Sequence, residues 1–185
     1  MPILGVTASS ISGHLIAPDT GAMFPLGMVQ VGSAGASTIS FSSIPSTYKN
    51  LQVRISCSVS TNSDMWLTFN GDSTTSNYAS HILWGNGAST FSSAFGTAYG
   101  SYVGFSGSTT SFTGGVTDIL DYGSTSKNKT VRTLTGTDTN GAGQIYLASG
   151  LWMNTSTAVT SISIAPISGT FNQYSSFALY GIKGA

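Results

Sequence analysis

No glutamate occurs anywhere in this chain, and lysine and arginine together number only six. That weighs heavily against helix. The outward face of a water-exposed helix is normally built from Glu, Lys, Arg and Gln, which lose little side-chain freedom there. In their place stand 32 serines and 24 threonines. Their hydroxyls compete with helical hydrogen bonding, and they suit turns and the polar faces of strands. The formal net charge is zero. Six cations are too few for phosphate-driven nucleic-acid binding or for a polybasic membrane patch, so neither nucleic acid nor membrane is an expected partner. No apolar run approaches the roughly 20 residues of a membrane span. An apolar content of 40% in 185 residues is enough for a core and argues against disorder.

The hydrophobic pattern has a period of two. Leu51, Val53, Ile55, Cys57 and Val59 alternate with polar residues, the mark of a half-buried strand with Cys57 inside. Met65, Leu67 and Phe69 do the same, with Trp66 out of phase and directed to the other face. Further strands are expected at 28–33, 37–43, 79–84, 99–106, 116–122, 130–135, 143–148, 158–165 and 175–183. Near Thr160 and Ser161 the alternation slips by one place, as a β-bulge would make it do. Turn signals stand at Asn70-Gly71, Asn86-Gly87, Gly114-Gly115 and Asn140-Gly141. The segment from Gly85 to Thr113, rich in Gly, Ser and Thr, reads as long loops. Some ten short strands joined by polar turns predict an all-β, jelly-roll-type sandwich over residues 27–185. Residues 1–26 hold three of the five prolines and no clean period. They read as an extended N-terminal arm outside the sheets, with Ile3, Leu4, Ile11, Leu15 and Phe24 as its contacts to a neighbour.

Chemistry-bearing residues are sparse. Asp118 and Asp121 are three apart and point to opposite faces of a strand, so they form no acid–base pair. Asp64 and Asp72 flank one strand and, with Asn70, offer oxygens near each other, but at no calcium-loop spacing; turn capping is the expected role. His14, His81 and Cys57 are too scattered for a metal site. No nucleophile elbow and no phosphate loop occur. The sequence therefore predicts neither an enzyme nor a cofactor or metal. Aromatic residues offer the remaining candidate. Trp84, Tyr99 and Tyr102 are candidate contacts for a glycan or a subunit interface. Burial is favoured for Trp84, and Trp66 is expected to take no part.

Three stretches carry a resemblance. They are Leu67-Thr68-Phe69-Asn70-Gly71-Asp72 with Asn77-Tyr78; Asp118-Ile119-Leu120-Asp121-Tyr122 leading to Asn128-Lys129-Thr130-Val131-Arg132; and the run from Gln173 to Gly184. With the opening Ile3-Leu4-Gly5 they resemble small structural proteins of tailed bacteriophages, many from aquatic hosts, over most of the chain from about Met28. The resemblance implies a β-sandwich component of the virion, located on the particle surface, and brings no catalytic residue. The expected function is a capsid decoration or cement protein, with a tail or fibre adhesin for a host-surface glycan, or a carbohydrate-binding module, as alternatives. The expected partners are copies of the chain itself, three being favoured, and other virion proteins, foremost the major capsid protein.

Overall fold

The structure is a computed structural model and describes residues 22–106 and 110–184. Among these are twelve strands: β1 (Met23–Gln30), β2 (Ile39–Phe41), β3 (Asn50–Cys57), β4 (Ser63–Phe69), β5 (Tyr78–Gly85), β6 (Thr90–Phe95), β7 (Ser101–Ser106), β8 (Thr113–Leu120), β9 (Lys129–Asp138), β10 (Gly143–Trp152), β11 (Ile162–Pro166) and β12 (Ser176–Ile182). A single 3-10 turn, Thr75–Asn77, is the one helical element described. No helix of the described residues is long and apolar enough to cross a membrane. The strands form two antiparallel sheets in the orders β1-β12-β3-β8-β9-β10-β5-β6 and β2-β11-β4-β7. The chain is an all-β sandwich, as its composition and period-two pattern require.

The core follows from alternation. Leu51, Val53, Ile55 and Cys57 of β3 point inward and meet Met65, Leu67 and Phe69 of β4 across the gap between sheets. The Cys57 Sγ lies 3.5 Å from the Met65 Sδ, and burial pushes its thiol up to about 12. It is a small core residue rather than a reactive thiol. Around β7 the core changes character. Hydroxyls and glycines join the apolar residues there: Thr117 and Thr133 share a 2.9 Å hydrogen bond, and Ser101, Ser106, Thr113 and Thr135 are buried. A Cβ on Gly150 would stand 2.8 Å from Ser101, and one on Gly115 would stand 2.7 Å from Thr135. Small side chains are what let β7 approach the larger sheet so closely.

Several expectations need correction. Met23 to Leu26, assigned to the arm, begin β1, which pairs with β12. Pro25 is tolerated because β1 is an edge strand, and a register shift falls between Pro25 and Gly27. Phe24 accordingly contacts its own domain: its ring lies 5.7 Å from that of Tyr48, with the Lys183 Nζ 5.1 Å above it. Ile3, Leu4, Ile11 and Leu15 lie outside the described residues, as does His14. The stretch from Gly85 to Thr113, read as long loops apart from the strand at 99–106, contains β6 as well as β7, which is that expected strand. Gly114-Gly115 is no turn but part of β8, facing Ser56 and Ile55. No bulge forms at Thr160 and Ser161, because β11 starts after them. The Asn70 Oδ1 takes both of their amides, at 2.8 and 3.1 Å, and its Nδ2 donates to the Ala158 carbonyl. This side chain replaces a sheet partner, so Val159 and Ile162 are both buried despite being three apart.

Gly181 gives a stability prediction. It faces inward on β12 beneath the Tyr48 ring, and a Cβ there would overlap that ring. Gly181→Ala is expected to displace Tyr48 and to lower the unfolding free energy by about 1–3 kcal/mol. A urea titration checks this, and adding Tyr48→Ala should recover part of the loss.

Candidate functional site

Two surfaces qualify, and the carboxylates bear on both. Asp72 follows the turn at Asn70 and Gly71, where both residues have positive φ. Its Oδ2 accepts from the Trp152 Nε1 at 2.8 Å and the Asn77 Nδ2 at 2.9 Å, and its Oδ1 accepts from the Thr74 amide at 2.9 Å. Burial raises its proton affinity, but these three donors outweigh it and hold the carboxyl below its ordinary value. Asp118 accepts from the Gln52 Nε2 at 2.9 Å and is paired with Arg132 at 3.0 Å. Asp121 lies between Lys49 at 2.7 Å and Lys127 at 3.1 Å. Asp64, at the other end of β4 from Asp72, accepts from the Tyr102 hydroxyl at 3.2 Å. Asp64 and Asp72 therefore do not converge, and Asn70 is committed to the 158–161 segment. No cluster of three or more His, Cys, Asp or Glu able to hold a metal occurs among the described residues.

The Asp72 contacts predict an acid response. A carboxyl whose folded-state pKa is depressed contributes stability that is complete above the unfolded value, about 3.9. That contribution is lost as pH falls through the lower folded value. Thermal melts from neutral pH downward should therefore show Asp72→Asn less stable than the parent at neutral pH. The gap should narrow below about pH 4. A constant gap at all pH values would show that the charge of Asp72 contributes nothing.

The first surface is the outer face of the larger sheet. Outward positions in register run Arg54, Val116, Leu134, Leu147, Leu83 and Ser92 across β3, β8, β9, β10, β5 and β6. Four directly neighbouring apolar side chains thus form a stripe. Leu83, Leu134 and Leu147 are 52%, 54% and 50% exposed, and Ile145 beside them is more so. A shallow trough of about 660 Å³ lies here, lined by Leu83, Leu120, Leu147, His81 and Arg132 among others. A polar ribbon borders it. The Arg54 Nε donates to the Gln52 Oε1, Gln52 donates to Asp118, and Asp118 pairs with Arg132. His81 lies in this face, exposed, opposite Ser149 and Ala94.

The second surface is aromatic. Trp66 packs edge-on against Phe95 at 5.8 Å, Tyr99 at 6.2 Å and Tyr102 at 5.3 Å. Tyr102 continues to Tyr146 at 5.6 Å, and Tyr146 to Trp84 at 6.2 Å, with Phe91 stacked on Trp84 at 5.2 Å. The three candidate aromatics are therefore linked, but they differ in access. Tyr102 is buried, Trp84 is half-buried on the inward side of β5, and Tyr99 is 63% exposed. Trp66, expected to take no part, sits among these rings and joins Tyr99 to Tyr102. The available signal was that Asp64 and Trp66, two apart on a strand, share a face. Asp64, Trp66, Thr75, Phe95, Tyr99 and Ile167 bound a recess of about 330 Å³.

Comparison with protein-family models, with curated proteins and with solved structures returned no match.

Proposed function

We propose that this chain is a non-enzymatic structural subunit of a particle, a capsid decoration protein on the virion surface of a tailed phage. We propose further that copies of it associate through the outer face of the larger sheet. The apolar stripe Val116, Leu134, Leu147 and Leu83 carries this reading. A contiguous apolar patch ringed by polar residues is the anatomy of a protein–protein interface. Eight strands at about 4.8 Å spacing, each six to ten residues long, give a face of roughly 38 by at least 20 Å. That is about the 800 Å² each partner contributes to a standard interface. A second copy is the favoured occupant because the stripe itself carries no charge and the carboxylate bordering it, Asp118, is already paired with Arg132. With zero net charge, identical copies meet without electrostatic opposition.

Other features support the same reading. The described carboxylates are engaged in structural contacts, which leaves none arranged as an acid–base pair. The chain alternates between sheets, with β2, β4, β7 and β11 in one and the strands between them in the other, which supports the jelly-roll reading. The resemblance to phage structural proteins supplies the particle, and the arm in residues 1–22 is part of the proposal as a further contact. Sedimentation equilibrium of the purified chain at tens of micromolar should give the mass of two or three copies. A single-copy mass there would overturn the association. Cryo-electron microscopy of intact particles tests the location: density repeated over the capsid supports decoration, and density confined to the tail overturns it.

A further inference from the structure

We infer that the recess bounded by Asp64, Trp66, Thr75, Phe95, Tyr99 and Ile167 binds a neutral hexopyranose, independently of the sheet face proposed for assembly. A pyranose presents two chemistries: an apolar C–H face, and a rim of hydroxyls that both donate and accept. The recess offers a match for each. Tyr99 and Ile167 are large apolar side chains left 63% and 52% exposed at its border, and an exposed aromatic ring is a stacking partner for a sugar face. For the hydroxyls, Asp64 supplies an acceptor. One of its oxygens takes the Tyr102 hydroxyl, and the other has no protein donor among the described residues. Thr75 and Thr97, also at the lining, add hydroxyls that donate or accept.

Two observations indicate that the protein has not satisfied this place by itself. Burial, opposed by the Tyr102 hydrogen bond, raises the Asp64 carboxyl above its ordinary value, as expected of a carboxylate short of donors. The indole N–H of Trp66, which also lines the recess, is buried without an acceptor, and such a group in a folded chain calls for a reason. A ligand rich in hydroxyls relieves the first shortage directly. The recess volume of about 330 Å³ lies at the lower end of the range for small-molecule sites, fitting one or two sugar rings rather than a long chain. The charge of Asp64 sets specificity, since a uronic or sialic acid would place its carboxylate against that of Asp64 with no cation at the lining to offset it.

Saturation-transfer NMR on the full chain near neutral pH provides the test, with methyl glucopyranoside, methyl galactopyranoside, N-acetylglucosamine and glucuronate as probes. Transfer to at least one neutral sugar is expected, with weak, millimolar affinity, and none to glucuronate. Tyr99→Ala should weaken that binding at least tenfold while leaving the thermal melt unchanged, because the ring is largely exposed. Asp64→Asn keeps an acceptor for Tyr102 and should weaken binding by a similar factor. No transfer to any neutral sugar, transfer to glucuronate as strong as to the others, or undiminished binding by Tyr99→Ala would each overturn the inference. Sedimentation of the same variants keeps this result separate from assembly, since neither change touches the outer sheet face.

Discussion

Trp152→Ala is expected to lower the unfolding free energy by about 3–5 kcal/mol, the largest effect of any single substitution considered for this chain. The ring is fully buried at the end of β10 and packs 5.2 Å from Phe69. Its Nε1 donates to Asp72, and the Lys129 Nζ lies 5.3 Å above it. Lys129 is itself buried and donates to the carbonyls of Asn154, at 2.8 Å, and Thr157. Removing the indole therefore opens a cavity, strips a donor from a carboxylate and deprives a buried cation of its aromatic face. Trp152→Phe separates these effects. It restores most of the volume but not the N–H, and should cost about 1.5–3 kcal/mol, the range for a hydrogen bond to a charged group. Guanidinium unfolding curves of the two variants check both figures. Equal stability of Trp152→Phe and the parent would show the contact with Asp72 to be idle.

On the proposed association, the double change Leu134→Lys and Leu147→Lys should give single copies without unfolding the chain. Both side chains are half exposed on the outer face and contribute little to the core. Fully buried at an interface, each leucine is worth about 1.5–3 kcal/mol, and two added cations on each facing copy repel one another. A rise of at least a hundredfold in the dissociation constant follows, since about 1.4 kcal/mol corresponds to tenfold. Sedimentation velocity gives the mass and circular dichroism the integrity of the fold. Association unchanged in a folded double variant would move the interface elsewhere.

Local chemistry was legible in the sequence wherever it alone decides structure. The alternation from Leu51 to Val59 gives β3, and Asn70-Gly71 and Asn140-Gly141 adopt positive φ as those pairs demand. What escaped depends on distant partners. Thr90 to Phe95 look like loop because Ser92, Ser93 and Ala94 carry no strand signal; pairing with β5 makes them β6. Gly114-Gly115 reads as a turn until the Thr135 side chain, on the neighbouring strand, is seen to occupy the space of a Cβ at Gly115. The slip at Thr160 and Ser161 is visible, but its cause is the side chain of Asn70, some ninety residues earlier. The aromatic recess was half legible. Tyr99 and Tyr102 stood out, whereas Trp66 and Asp64 lay on a strand whose partner Tyr102 is set by a register shift between Met65 and Trp66.

The two ends of the larger sheet are unlike. At one end β1 carries Pro25, which has no amide hydrogen to offer a newcomer, and an irregular register beside it. At the other end β6 reads Thr-Phe-Ser-Ser-Ala-Phe, regular along its length and without proline or charge. Natural proteins usually blunt such a margin with lysine, proline or a bulge, because unpaired backbone groups recruit any extended chain that meets them. Among the described residues the β6 side is therefore the margin better suited to strand addition, which would give such growth a direction. A polypeptide zipped along β6 would continue the hydrogen-bond ladder without disturbing either packed layer.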